Sequence, residues 1–399
     1  MSYLSLKKLE YIDHGSCAKE YQKRYNSDDA HLIDVDINDN PAFFVETREI
    51  RKAVLNIHKM DKRIIKICND LPKQAITHFI VRSLIDEVQL TNKIEGIHST
   101  KKEISDACEG KSDRYAGIVT KYAMLDTSID IPLKTCEDVR KLYDDLVLRE
   151  VVEKHENYRP DGTIFRKGMV HVQGNGMNPI HTGLYPETRI IKAMTNALQY
   201  LNDEEEELLY RIAVFHYLIG YIHPFYDGNG RLNRFISSYM LAKEFEPLYS
   251  YRLSYTILEN QSSYNKAFNE CNDAKNYGEL TMFVDMFLGI LTESMENLIV
   301  ALSSRRSFYE RYKNTISSLP YGNNPKYGSL YETLILNELF SSRGPSITEL
   351  SEAIKLGDET TRKMINNLIG HSLITIDRSS RKFYYGIDLK MVDLLSSNE

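Results

Sequence analysis

Four side chains able to do chemistry stand within one short run. His223, Asp227, Arg231 and Arg234 lie in HPFYDGNGRLNR, residues 223–234. Gly228 and Gly230 remove side chains where a loop enters a helix, so successive backbone N–H groups can point at an anion while the helix dipole adds positive charge. That arrangement cradles phosphate. Arg231 and Arg234, three apart on the first helical turn, offer two guanidinium forks for further phosphate oxygens. Asp227 supplies a hard carboxylate suited to Mg²⁺ bridging phosphates. His223, at the other lip of the loop, is the one side chain here that accepts a proton near neutral pH.

The loop is positioned by two helical patterns, LLYRIAVFHYLIGYI before it and RLNRFISSYMLAKEF after it. Hydrophobic spacing near 3.6 persists from about residue 45 to about 315, which predicts a mainly α protein. One interruption, residues 163–187, has short apolar runs around a Gly/Asn turn, and residues 168–184 read as a β-hairpin. Residues 1–45 mix charges with turn signals such as DVDINDNP. The stretch 317–328 carries two prolines and two glycines, and 316–327 reads as a linker. After it come a helix (328–341), a Ser-capped helix (346–354), a turn at Gly357, a helix (359–370) and two strand-like runs, LITID and KFYYGI. That order resembles a winged helix-turn-helix. Arg362, Lys363, Arg378, Arg381 and Lys382 would suit a DNA-binding wing, yet residues 326–399 hold 9 Lys/Arg against 10 Asp/Glu. The balance favours a packing or protein-contact module over DNA.

The 399 residues carry a formal net charge of −6, 42% hydrophobic and 27% charged residues. Those values suit two or three globular domains and argue against disorder and against a whole-chain nucleic-acid binder. Five scattered cysteines without a C-x-x-C pair suggest neither a disulfide framework nor a zinc site. No signal peptide and no stretch near ~18 apolar residues is evident in the sequence, so a cytoplasmic protein without a membrane partner is expected.

The run at 223–234 also spells HPFx(D/E)GNGRxxR, the signature of Fic-domain (Fido family) proteins, and the chain resembles that family. The likeness extends loosely over residues 115–295, through His216, Phe165-Arg166 before the hairpin, and YNKAFNEC with LTMFVDMFL after the motif. The resemblance implies a Fic-type helical core with a small hairpin flap, and a protein adenylyltransferase: AMP passes from ATP to a Tyr, Thr or Ser hydroxyl of a target protein or of the chain itself, with Mg²⁺. His223 is then the general base, Phe225 a core anchor, Asp227 the metal ligand, Gly228-Asn229-Gly230 the anion hole, and Arg231 and Arg234 the phosphate clamp. In this reading the hairpin aligns the target by strand pairing; Ile180 and His181 touch target or nucleotide, though a plain exposed hairpin fits them equally. Tyr264 either packs on adenine or belongs to the core.

Upstream, Thr91 and Glu95 lie four apart, followed by Gly96. Taken alone this is a surface carboxylate near a helix end. It also matches the family's inhibitory pattern (S/T)xxxE(G/N), which implies an inhibitory helix at about 79–96 and a Glu95–Arg234 ion pair that obstructs the γ-phosphate of ATP. The organisation expected is an N-terminal region with this helix (1–110), a Fic core (111–315), the linker, and a winged-helix-like domain (328–399). Two alternatives stay open. One is a Glu95-dependent removal of AMP from modified targets. The other is a DNA-binding regulator whose Fic core senses nucleotide. The N-terminal residues could form a homodimer contact.

Overall fold

A computed structural model describes residues 3–127, 129–173, 179–378 and 382–396. Helices α1 (Leu6–Ile12) and α2 (His14–Tyr25) precede an antiparallel pair, β1 (Ala30–Ile37) and β2 (Asn40–Val45). Then come α3 (Arg48–Asn69), α4 (Lys73–Ile94), α5 (Lys101–Cys108) and α6 (Ala116–Ala123). Helix α7 (Cys136–Tyr143) passes through a five-residue π-helical turn, Asp144–Leu148, into α8 (Arg149–Lys154). The short strands β3 (His171–Gln173) and β4 (Pro179–Thr182) follow, and then α9 (Glu187–Leu201), α10 (Leu208–Ile222) and α11 (Asn229–Ala242). Short helices α12 (Pro247–Ser250) and α13 (Leu253–Glu259) lead to α14 (Gln261–Cys271) and the 35-residue α15 (Thr281–Thr315). The chain ends with α16 (Pro325–Phe340), α17 (Ile347–Ile354), α18 (Asp358–Gly370), β5 (Ile374–Asp377), β6 (Tyr384–Ile387) and α19 (Leu389–Ser396). The fold is mainly α; its strands among the described residues form three two-stranded pairs.

Two compact units emerge, Met1–Asp61 with Leu84–Glu296, and Lys62–Ser83 with Asn297–Glu399. Residues of both expected segments, 1–110 and 111–315, enter the first unit. At its centre lies α10, apolar on every side and buried along nearly its whole length, as a helix without a polar face must be. Helices α9 and α11 pack on it. The β1–β2 hairpin was not anticipated: Asn38 and Asp39 turn the chain with φ of 49° and 62°, and inward Ile33, Val35 and Ile37 alternate with outward aspartates. The expected hairpin at 168–184 is present as β3–β4, and its turn at 174–178 lies outside the described residues.

In the second unit, α17 begins with a reciprocal capping box between Ser346 and Glu349, and α18 follows a turn at Lys355. Strands β5 and β6 pair in full register, and Tyr385 N–H donates to Pro345 O. Of the stretch expected as a linker, Ile316–Ser318 forms a 3₁₀ turn and α16 already starts at Pro325, whose ring suits a first helical position. Arg381 lies outside the described residues; Arg362 and Lys363 are exposed, with Lys363 paired to Glu359 one turn back.

The stretch Thr281–Ser318 is long and apolar enough by composition to cross a membrane, and half of that apolar window is buried within the fold. Phe283, Val284, Phe287, Leu288, Leu291 and Met295 fill the core of the first unit. Their helical spacing fits a packed core helix.

Candidate active site

The loop between α10 and α11 is fixed from beneath. Asn229 uses both ends of its amide on Phe225, accepting from its N–H at 2.9 Å and donating to its carbonyl at 2.8 Å. Phe225, fully buried, lies flat on Tyr143 with ring centroids 3.6 Å apart, and meets Phe165 edge-on. The Tyr143 hydroxyl donates to the carbonyl of Asp227 at 3.1 Å. Gly228 adopts φ +79°, a left-handed conformation that costs other residues about 1 kcal/mol, and its N–H donates to Asp227 Oδ1 at 2.6 Å. The first rung of α11 is Leu232 N–H to Gly228 O, which leaves the N–H groups of Asn229, Gly230 and Arg231 ahead of the ladder. This is the geometry of an anion nest at a helix N-terminus.

Both arginines of the motif are buried and both already hold a carboxylate. Arg231 Nη1 donates to Glu150 Oε2 at 2.9 Å. Arg234 Nη2 donates to Glu95 Oε1 at 2.8 Å and to Thr91 O at 3.1 Å, while its Nε donates to Thr91 Oγ1 at 2.7 Å. Glu95 follows directly on α4, which closes with Ile97 N–H on Asn92 O and Gly96 N–H on Lys93 O, Gly96 having φ +68°. A methyl group placed on Gly230 would fall on Glu95 Oε1. The carboxylate therefore sits at the mouth of the nest. Burial works against its charge, but Arg234 first, then Arg231 and His223, outweigh it and hold Glu95 below the usual carboxylate range.

His223 ends α10 in a left-handed conformation, φ 51° and ψ 64°, with its N–H still bonded to Ile219 O. Burial, then the charge of Arg166, then His181, push its imidazole down to about 4, against Glu95 pulling upward. At neutral pH the ring is an uncharged proton acceptor. His181 spends Nε2 on the Tyr221 carbonyl at 2.6 Å and stacks on the Tyr221 ring, so it is engaged by the end of α10. The side chain of Ile180 lies outside the described residues. Tyr264 donates its attention inward: its hydroxyl is 2.9 Å from His216 Nε2 and its ring packs edge-on against Phe283.

Asp227 is half-exposed, with one oxygen fixed by Gly228 N–H. The described residues contain no cluster of three metal-binding side chains. A single carboxylate beside an anion nest fits Mg²⁺, which binds through one or two carboxylates plus substrate phosphates and keeps several waters.

Several site residues escaped the sequence reading. Tyr143 and Glu150 arrive from the two sides of the π-turn, Tyr143 just before it and Glu150 just after it, through pairings with no local signature. Arg166 was visible only as part of Phe165-Arg166. Its guanidinium, fully buried, donates to the carbonyls of His223 (2.9 Å), Gly168 (2.5 Å), Leu184 (2.9 Å) and Ile222 (3.5 Å).

Residues 133–241 match the Fic/DOC family profile, a span that includes the whole loop. Among solved structures, a Fic family protein from Desulfovibrio desulfuricans aligns over 86% of this chain and 96% of its own, with 20% identity and a TM-score of 0.53. The likeness extends the shared fold well beyond the profile match. Fic-1 from C. elegans aligns over 64% and 73% with 17% identity and a TM-score of 0.39, and a Fic domain containing signaling protein from Bacteroides thetaiotaomicron over 64% and 97% with 18% and 0.35.

Proposed function

Because residues 133–241 of this chain form a Fic domain, we propose that the protein transfers AMP from ATP to a hydroxyl of a protein Tyr, Thr or Ser, and that Glu95 holds this activity in check. The observation that carries the reading is the carboxylate of Glu95 lying on Arg234 at 2.8 Å, at the nest formed by the start of α11.

In the reaction, the target hydroxyl oxygen attacks the α-phosphorus of ATP, the bond from that phosphorus to the bridging oxygen breaks, and pyrophosphate leaves. His223 takes the hydroxyl proton, a role that its neutral state at pH 7 permits. The N–H groups of Asn229, Gly230 and Arg231 face the phosphate oxygens and are already oriented by Asn229 and Tyr143, so no reorganisation is needed as charge shifts. Mg²⁺ held by Asp227 would supply further charge neutralisation on the phosphates. Arg234 takes the outer phosphates once Glu95 leaves; until then the carboxylate neutralises the guanidinium and repels the γ-phosphate.

The test is label transfer from α-³²P-ATP with Mg²⁺, to the protein itself and to a lysate. Wild type, Glu95→Gly and Glu95→Gly/His223→Ala are compared. The reading expects faint label, strong label and none, in that order. Equal label in the first two removes the inhibitory role, and no label in any form removes AMP transfer.

A further inference from the structure

Arg166 has a bonding pattern unlike any other arginine described above. It is completely buried, it has no ion-pair partner among the described residues, and every hydrogen bond of its guanidinium among them goes to a main-chain carbonyl. A buried guanidinium without a counter-charge is costly even when its N–H groups are satisfied, because carbonyl dipoles offset only part of the lost hydration. The four carbonyls belong to two places. Gly168 and Leu184 flank the β3–β4 hairpin on either side; Ile222 and His223 are the end of α10. Two further bonds stitch the same seam, Leu184 N–H to Ile222 O at 3.1 Å and Arg166 N–H to Pro224 O at 3.3 Å.

We propose that Arg166 is a positioning residue for His223: one buried cation ties both roots of the hairpin to the main chain that presents the imidazole, so that the hairpin and the base are held as one piece. The inference rests on the AMP-transfer reading for its consequence in rate, and on the structure alone for its consequence in charge. A target strand aligned on the hairpin is thereby aligned on the proton acceptor, with the small tolerance that transfer chemistry demands. The same unneutralised charge disfavours a second positive charge on the imidazole. The charged and titratable groups facing His223 are Arg166 and His181, which resist its protonation, and Glu95, which favours it.

The experiment has two readouts. NMR titration follows the His223 ring in the full chain, and label transfer is measured in the Glu95→Gly background at pH 7. Arg166→Gln should move the His223 midpoint upward from about 4, by about half a unit or more toward the ordinary ~6.5, and lower labelling by roughly tenfold or more. Arg166→Lys keeps the charge but cannot span four carbonyls; its midpoint should stay near that of the parent while labelling falls. Gly183→Ala serves if Arg166→Gln does not fold. Its added methyl would lie 2.5 Å from Arg166 Nη2 and 2.9 Å from His223 Cβ, prising the two apart, and should lower labelling while the His223 midpoint rises. An unmoved midpoint in folded Arg166→Gln overturns the charge role. Unchanged labelling in Arg166→Lys or Gly183→Ala overturns the positioning role. If Glu95→Gly itself takes no label, AMP transfer is what fails, and the titration still decides whether Arg166 acts on the base.

Discussion

Thr91 holds Arg234 with two atoms, Oγ1 accepting from Nε at 2.7 Å and the main-chain carbonyl accepting from Nη2 at 3.1 Å. Glu95 therefore meets a guanidinium that its own helix has already oriented one turn earlier. The ion pair is the last of three contacts made by the end of α4 and the residue that follows it, and the other two require no charge on the carboxylate.

Thr91→Val keeps the shape and removes one acceptor, leaving a buried charged donor unsatisfied at a cost of about 1–3 kcal/mol. Self-labelling should rise above wild type yet stay below Glu95→Gly, with a lower melting temperature. Labelling at the wild-type level would show that Thr91 contributes nothing to the check.

Much of this was legible in the sequence. The glycines, the histidine and the arginines of the loop announce their chemistry by type and spacing, and α17 announces itself by a capping box. What escaped depends on where distant segments meet. No local pattern couples Glu150 to Arg231 or the Tyr264 hydroxyl to His216, since both pairings are made by the path of the chain. The β1–β2 hairpin escaped because its charged outward positions and Asn-Asp tip look like a polar loop when the buried alternate residues are few.

Asn229→Ala removes both bonds to the Phe225 main chain and leaves a buried N–H and carbonyl unpaired. In the Glu95→Gly background, labelling should fall by roughly tenfold or more as the nest loses its shape. Thermal melting should drop by several degrees. A variant as active as its parent would mean that aromatic stacking on Tyr143 alone fixes the loop.

Glu87, two turns before Glu95, is fully buried and accepts from the N–H and the hydroxyl of Ser254. It faces Tyr122, Arg234 and Arg252, and burial pushes its carboxyl up to about 7 against the pull of Ser254 and the two arginines. The folded chain thus keeps a proton there between about pH 4.3, the ordinary glutamate value, and about 7. Stability contributed by this group falls as pH rises through that window and levels off above it. Glu87→Gln should remove this downward component. Urea unfolding at pH 5, 6, 7 and 8 measures the difference between the two proteins; parallel profiles would refute it.

Asp227→Ala leaves Gly228 N–H without its side-chain partner and takes away the carboxylate offered to Mg²⁺. Labelling by Glu95→Gly should stop in EDTA and return with Mg²⁺, and Asp227→Ala should require far more Mg²⁺ for the same rate. An unchanged Mg²⁺ dependence would assign the metal to other ligands.

The π-turn at Asp144–Leu148 joins α7 to α8 in one continuous helical path. A turn of this kind holds one residue more than a regular α-helical turn. Its effect is one of phase: each residue advances a helix by about 100°, so α7 and α8 present their side chains in different registers on the same axis. Tyr143 before the turn reaches Phe225 and Asp227, while Glu150 after it reaches Arg231. Deleting one residue between 144 and 148 would restore a regular α-helix and swing Glu150 about 100° away from Arg231. One extra residue thus lets a single helical segment read two separate points of the loop.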